Sequence, residues 1–143
     1  MLGGQSNAEL SFKDGAMRLT GFISAKAGFA SFAGVTVSFF NSDFEGYDFS
    51  RYSGITLKVK GDGKKYRLTV NSQKIIDYDD FTAVFKTEKD KFIDIKIPFS
   101  ELKQTGFGEK LEWNGKDIYG VSILTFGNMN KKFNIEVDKI ELY

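Results

Sequence analysis

Apolar and polar residues alternate in short runs along almost the whole chain, a rhythm that lets a β-strand place its apolar side chains on one face. Ala8, Leu10 and Phe12 open the series, and Met17 and Leu19 follow an Asp14-Gly15 turn. The stretch from Phe29 to Phe40 is apolar and β-branched, broken by Gly34. Next come Ile55, Leu57 and Val59, then Tyr66, Leu68 and Val70, then Phe81, Ala83 and Phe85. Ile93, Ile95 and Ile97, Val121, Ile123 and Thr125, and Phe133, Ile135 and Val137 complete it. Fifteen glycines against one proline, Pro98, suit the tight turns that such short strands need. The pattern predicts a single all-β domain over residues 1–143, an antiparallel sandwich or jelly roll of about nine strands. One helical signal stands out, Ser100-Glu101-Leu102-Lys103, where Ser100 is placed to cap a single turn.

Composition narrows the chemistry. The 143 residues include no Cys and no His. Thiolate nucleophiles, Cys-ligated zinc and disulfides are excluded, as are the commonest general base and the commonest transition-metal ligand. Catalysis would fall to carboxylates, lysines, tyrosines or a bound cofactor. A formal charge of +1 gives no bulk attraction to nucleic acid or to an anionic membrane. No apolar run approaches the roughly 18 residues of a membrane span, and no basic-then-apolar leader opens the chain. The compartment stays open.

The stretch Val59-Lys60-Gly61-Asp62-Gly63-Lys64-Lys65-Tyr66-Arg67-Leu68 looks at first like a phosphate cradle. A phosphate loop needs a helix after its glycines and a Ser or Thr after its lysine, and here a strand pattern follows. Asp62 would also bring a negative charge to the anion. The reading is a turn centred on Asp62-Gly63. As a hairpin it would set Val59 opposite Tyr66, Leu57 opposite Leu68 and Ile55 opposite Val70. The other face would then carry a basic stripe, Lys60 beside Lys65 and Lys58 beside Arg67, either solvated or facing an acidic group. A jelly roll that sends consecutive strands to opposite sheets would break this pairing.

Candidate ligand-binding residues are therefore Lys58, Lys60, Lys65 and Arg67, with Tyr78 from the Asp77-Tyr78-Asp79-Asp80 loop and Trp113, the sole tryptophan. Trp113, beside an Asn-Gly turn, suits a binding platform or a cover for the core's edge. Tyr47, Phe49 and Tyr52 read chiefly as plugs for one end of the sandwich. Asp77, Asp79 and Asp80 lack the calcium-loop spacing and read as a solvated loop.

Five segments in order resemble the CIA30 family, named for complex I intermediate-associated protein 30. They are Met1-Leu2-Gly3-Gly4-Gln5-Ser6, then Phe29-Ala30-Ser31-Phe32, then Asp48 to Ile55 running on through Gly61-Asp62-Gly63 to Tyr66-Arg67-Leu68. Phe92-Ile93-Asp94-Ile95-Lys96-Ile97-Pro98-Phe99-Ser100 and Phe133-Asn134-Ile135-Glu136-Val137-Asp138-Lys139-Ile140 follow, with Phe92 where the family usually has Trp. The resemblance implies a galactose-binding-like jelly roll and a non-catalytic binding module, with a protein partner and a role in complex assembly. It supplies no catalytic residues and no obligatory cofactor. Carbohydrate-binding modules of secreted or cell-surface proteins share the fold, so a glycan ligand is the alternative, and a carboxylate-based hydrolase a distant third. Galactose-binding-like modules often hold a structural calcium with a final-strand Asp, and Asp138 resembles that ligand. The family normally has another strand or so before the first segment. Its apparent absence would leave a sheet edge open, and with it the expectation of an edge-strand homodimer.

Overall fold

The structure, a computed structural model, describes residues 7–23, 33–38, 43–127 and 131–143. The first two family-like segments, residues 1–6 and 29–32, lie outside the described residues. The strands are β1 (Asn7–Lys13), β2 (Ala16–Ile23), β3 (Gly34–Ser38), β4 (Gly54–Lys60), β5 (Lys65–Ser72), β6 (Phe81–Lys86), β7 (Phe92–Pro98), β8 (Ile118–Thr125) and β9 (Lys131–Leu142). They form two antiparallel sheets, one in the order β1-β2-β9-β4-β7 and the other in the order β3-β8-β5-β6.

The alternation decides what lies between the sheets. Leu19, Ile55, Leu57, Val59, Ile97, Ile135 and Val137 come from the five-stranded sheet. Tyr66, Leu68, Val70, Phe81, Phe85, Val121 and Ile123 meet them from the four-stranded sheet. Burying side chains of this size stabilises by about 1.5–3 kcal/mol each, which offsets the ordering of a chain with so little helix.

Two features depart from strict alternation. Lys58 pairs with Lys139 and Val59 with Val137, so Asp138 is an extra residue on β9. That bulge moves the inward phase from Phe133, Ile135 and Val137 to Ile140 and Leu142. The turn after Pro98 is a 3-10 turn over Phe99–Glu101, and no side chain caps it; Ser100 does not do so.

The hairpin between β4 and β5 does not form. β4 lies between β9 and β7, whereas β5 lies between β8 and β6 in the facing sheet. Val59, Leu57 and Ile55 therefore meet Tyr66, Leu68 and Val70 across the core, not along a ladder. Lys60 pairs in register with Phe92 and Glu136, and Lys65 with Lys86. The loop at residues 61–64 is a crossover between sheets.

Candidate functional site

The crossover is held by its own aspartate. The Asp62 carboxylate accepts the Lys64 amide at 3.1 Å and, through Oδ2, the Tyr66 hydroxyl and the Asn134 amide, each at 3.1 Å. The Lys64 ammonium sits 3.6 Å from the same oxygen and donates to the Lys132 carbonyl. Tyr66 is 1% exposed. Its burial and, next, the Asp62 charge push its hydroxyl pKa well above the ordinary tyrosine value. Asp62 thus joins the start of β5 to β9 across the sandwich, which occupies the carboxylate structurally.

The basic residues separate onto opposite faces. On the outside of the five-stranded sheet, Lys60 pairs with Glu136 at 2.8 Å and Lys58 with Asp138 at 3.7 Å. Both ammonium groups lie over the Phe92 ring, at 4.9 and 6.0 Å from its centroid. Arg18 approaches Glu136 at 4.0 Å. The acidic groups that meet these lysines belong to β9, not to the 77–80 loop. Asp138, half exposed, faces an ammonium, and among the described residues no group of three or more His, Cys, Asp or Glu is placed to hold a metal.

The outside of the four-stranded sheet is built differently. Register brings Thr36, Ser122, Thr69 and Thr82 into one row across all four strands. Longer side chains flank this hydroxyl row. Leu124, Arg67 and Val84 form the row on one side, and Asn71 begins the row on the other. Thr36 Oγ1 lies 2.8 Å from Ser122 Oγ, Ser122 Oγ donates to Asn71 Oδ1 at 2.9 Å, and Asn71 also bonds the Asp80 carboxylate. The chain of hydrogen bonds ends on a carboxylate whose pKa is raised, first by burial and then, against the Asn71 bond, by Asp77 and Asp79. Tyr119 is raised as well, by burial and then by Asp80 and Tyr78. At the other end Arg67 lies over Phe126, 5.1 Å from the ring centroid. Among the described residues Thr69 Oγ1 and Arg67 Nε are buried with no hydrogen-bond partner. A buried donor without an acceptor is uncommon and costs about 1–3 kcal/mol, so this face holds unused hydrogen-bonding capacity.

Sequence reasoning set Lys65 and Arg67 in one stripe with Lys58 and Lys60, which the structure divides between the two sheets, read Asp80 as part of a solvated loop, and missed the hydroxyl row. A signal was present in β5, whose outward positions are Arg67, Thr69 and Asn71 where β4 has Lys58 and Lys60. In the fold Thr69, Asn71 and Ser122 are 5%, 8% and 4% exposed, so the row is a recessed polar floor.

The acidic loop is exposed at Asp77 and Tyr78, as a solvated loop should be, but not at Asp79. Asp79 is 6% exposed; its carboxylate accepts the Gly106 amide at 2.6 Å and meets the Lys110 ammonium. That lysine contact is the first cause of a pKa below the ordinary carboxylate value. Asp77 Oδ2 accepts the Glu109 amide at 2.9 Å. Between these two anchors Tyr78 is 94% exposed with φ +61°. Trp113 covers the core's edge, 5.1 Å edge-on to Phe81 and 4.6 Å from Phe99. Phe49 is buried and stacks on Phe99 at 6.3 Å, as a plug should, whereas Tyr47 and Tyr52 are exposed.

The family profile described as complex I intermediate-associated protein 30 (CIA30) matches residues 1–137. A Caenorhabditis elegans protein described as probable complex I intermediate-associated protein 30, mitochondrial, is 28% identical over 100 residues, covering 64% of this chain and 29% of that protein. The match spans under a third of that relative's length. In structure the chain is similar to the family 11 carbohydrate-binding module of the cellulosomal cellulase Lic26A-Cel5E of Clostridium thermocellum. That similarity has a TM-score of 0.66 and 17% identity and covers 98% of this chain and 82% of that one. The family 30 module of cellulase Cel9D-Cel44B from the same organism gives 0.64 at 13% identity, covering 96% and 82%. At these identities the likeness is one of fold.

Proposed function

Since the chain belongs to the family of complex I intermediate-associated protein 30 (CIA30), we propose that it is a non-catalytic binding module that engages a protein partner in assembling a larger complex. Arg67 is the observation that carries this reading. Its guanidinium is stacked on Phe126, its Nε has no acceptor, and it forms no ion pair among the described residues. Stacking fixes the donor fork in advance, so little side-chain freedom is lost when a carboxylate or carbonyl arrives. Arginines held in this way are typical anchors of protein interfaces.

The hydroxyl row favours a second reading. A floor of Thr36, Ser122, Thr69 and Thr82 ending on Asn71 and Asp80 offers donors and acceptors at the spacing of adjacent strands, which also suits the hydroxyls of a glycan chain. The fold likeness to carbohydrate-binding modules is compatible with it.

Affinity capture from source-cell extract, with wild type and Arg67→Ala side by side, tests the first reading; a glycan microarray tests the second. The expected result is a partner whose recovery falls at least tenfold in Arg67→Ala at an unchanged thermal midpoint, with a silent array. Array signals abolished by Arg67→Ala would replace the first reading with the second. Recovery that is indifferent to Arg67 would remove this face as the site.

A further inference from the structure

Two loops at one end of the sandwich present large apolar side chains wholly to solvent. Ile76 is 89% exposed, Tyr78 94%, and Phe107 is fully exposed. Hydrogen bonds on either side bring Tyr78 and Phe107 together. Asp79, which follows Tyr78, accepts the amide of Gly106, which precedes Phe107. Asp77, which precedes Tyr78, accepts the amide of Glu109, and Gly108 lies so close to the Asp77 carboxylate that a Cβ there would overlap it. Gln104 fastens the second loop from within, donating to the Asp79 and Glu109 carbonyls at 2.9 and 3.0 Å and accepting the Leu111 amide at 2.7 Å. The two rings therefore stand on adjacent, fixed backbones. Exposed apolar side chains scattered singly are ordinary, but Tyr78 and Phe107 stand on tips clamped to one another.

The charges around the patch indicate what covers it. With the ion pair of buried Asp79 and Lys110 set aside, the segments that carry it, residues 73–80 and 103–112, hold Lys74 and Lys103 against Asp77, Asp80, Glu109 and Glu112. A net negative rim repels an anionic lipid surface and complements a basic one.

We propose that Tyr78 and Phe107 are the apolar anchor of a docking surface for a protein partner, entering an apolar pocket on that partner rimmed by lysine and arginine. The inference rests on the protein-binding reading and names a second contact for it, at the end of the sandwich and not on the hydroxyl row. A convex tip with a hydrophobic centre and a charged rim has the anatomy of an interface hot spot.

The test introduces p-benzoylphenylalanine at position 78 and, separately, at position 107, in the full chain in source-cell extract, with position 92 as control. The expected result is one protein cross-linked from both tip positions and not from 92. Its modified peptide should border an apolar pocket flanked by Lys or Arg. Phe107→Ser and Tyr78→Ser should each lower recovery of that protein at least tenfold, and Phe107→Leu should retain it, all with unchanged thermal midpoints. Cross-links confined to a second copy of this chain would overturn the inference. So would Phe107-dependent sedimentation with phosphatidylcholine vesicles, which would assign the tip to a lipid interface. A partner lost in Arg67→Ala but retained in Phe107→Ser sinks the tip alone; a wild type that recovers no protein sinks the tip and the binding reading together.

Discussion

Replacing Tyr66 by Phe removes one oxygen from a group of hydrogen bonds that ties the two sheets together. The Tyr66 hydroxyl donates to Asp62 Oδ2 at 3.1 Å and accepts the Asn134 amide at 3.2 Å, in a residue 1% exposed. A hydrogen bond to a charged acceptor contributes about 1.5–3 kcal/mol. In Tyr66→Phe the carboxylate keeps the Asn134 amide at 3.1 Å and the Lys64 ammonium at 3.6 Å, so it is not orphaned. The cost should lie at the low end, about 1.5 kcal/mol. For a chain of this length that lowers the thermal midpoint by about 5 °C. Asp62→Ala removes the acceptor shared by the Lys64 amide, the Tyr66 hydroxyl and the Asn134 amide, and should cost about 3 kcal/mol or more. Differential scanning calorimetry on the two single variants and the double variant measures both costs and their coupling. A Tyr66→Phe midpoint within about 1 °C of wild type, or additive single costs, would refute the shared role of these groups. The pH dependence is a second readout. Burial, then Asp62, raises the Tyr66 pKa, so above the ordinary tyrosine value the unfolded chain loses a proton that the folded chain keeps. Stability is then full below about pH 10 and falls as pH rises beyond it, more steeply in wild type than in Tyr66→Phe.

Three further outcomes follow from other positions. In Gly61→Ala the new Cβ would overlap the side chain of Thr87, which is buried and donates to the Lys64 carbonyl at 2.9 Å. Urea titration should show a loss of about 2–3 kcal/mol, partly restored by adding Thr87→Ala. Tyr78→Asn places a residue suited to positive φ where a bulky aromatic now sits at +61°, and should raise stability by about 1 kcal/mol while abolishing the tip contact. An unfolding midpoint at or below wild type would contradict the strain. Asp80→Asn removes a carboxylate whose ionisation burial disfavours, so it should raise the thermal midpoint at pH 7 and leave it near wild type at pH 3. The opposite pattern would mean that the Asp80 charge stabilises the fold through Asn71.

Much of the architecture was legible one strand at a time. Leu57 and Val59, or Leu68 and Val70, announce their inward face because a pleated strand sends alternate side chains to opposite sides. The bulge at Asp138 was not read, because the apolar alternation was followed only as far as Val137. The role of Phe49 was legible too, since an apolar residue in a polar loop needs a core to enter. Asp79 was not. Nothing local distinguishes it from Asp77 or Asp80, and its burial depends on Gly106 and Lys110, more than twenty-five residues away in sequence.

What the sequence determined by itself, then, is the strand content, the face each strand buries and the break in the chain at Asp62-Gly63, though not that it is a crossover. These follow from pleat geometry and from glycine's tolerance of positive φ, which Gly63 uses at +84°. Only the tertiary structure decided which strands are neighbours. An inward-facing apolar set is satisfied equally by a partner beside it or across the core, so Val59 and Tyr66 could not say that they belong to different sheets. That choice gave Lys58 and Lys60 the carboxylates of β9 and, among the described residues, left Arg67 without an ion pair. It also assembled a row of hydroxyls from four strands that no local pattern joins, because adjacency between distant segments is a property of the packed chain.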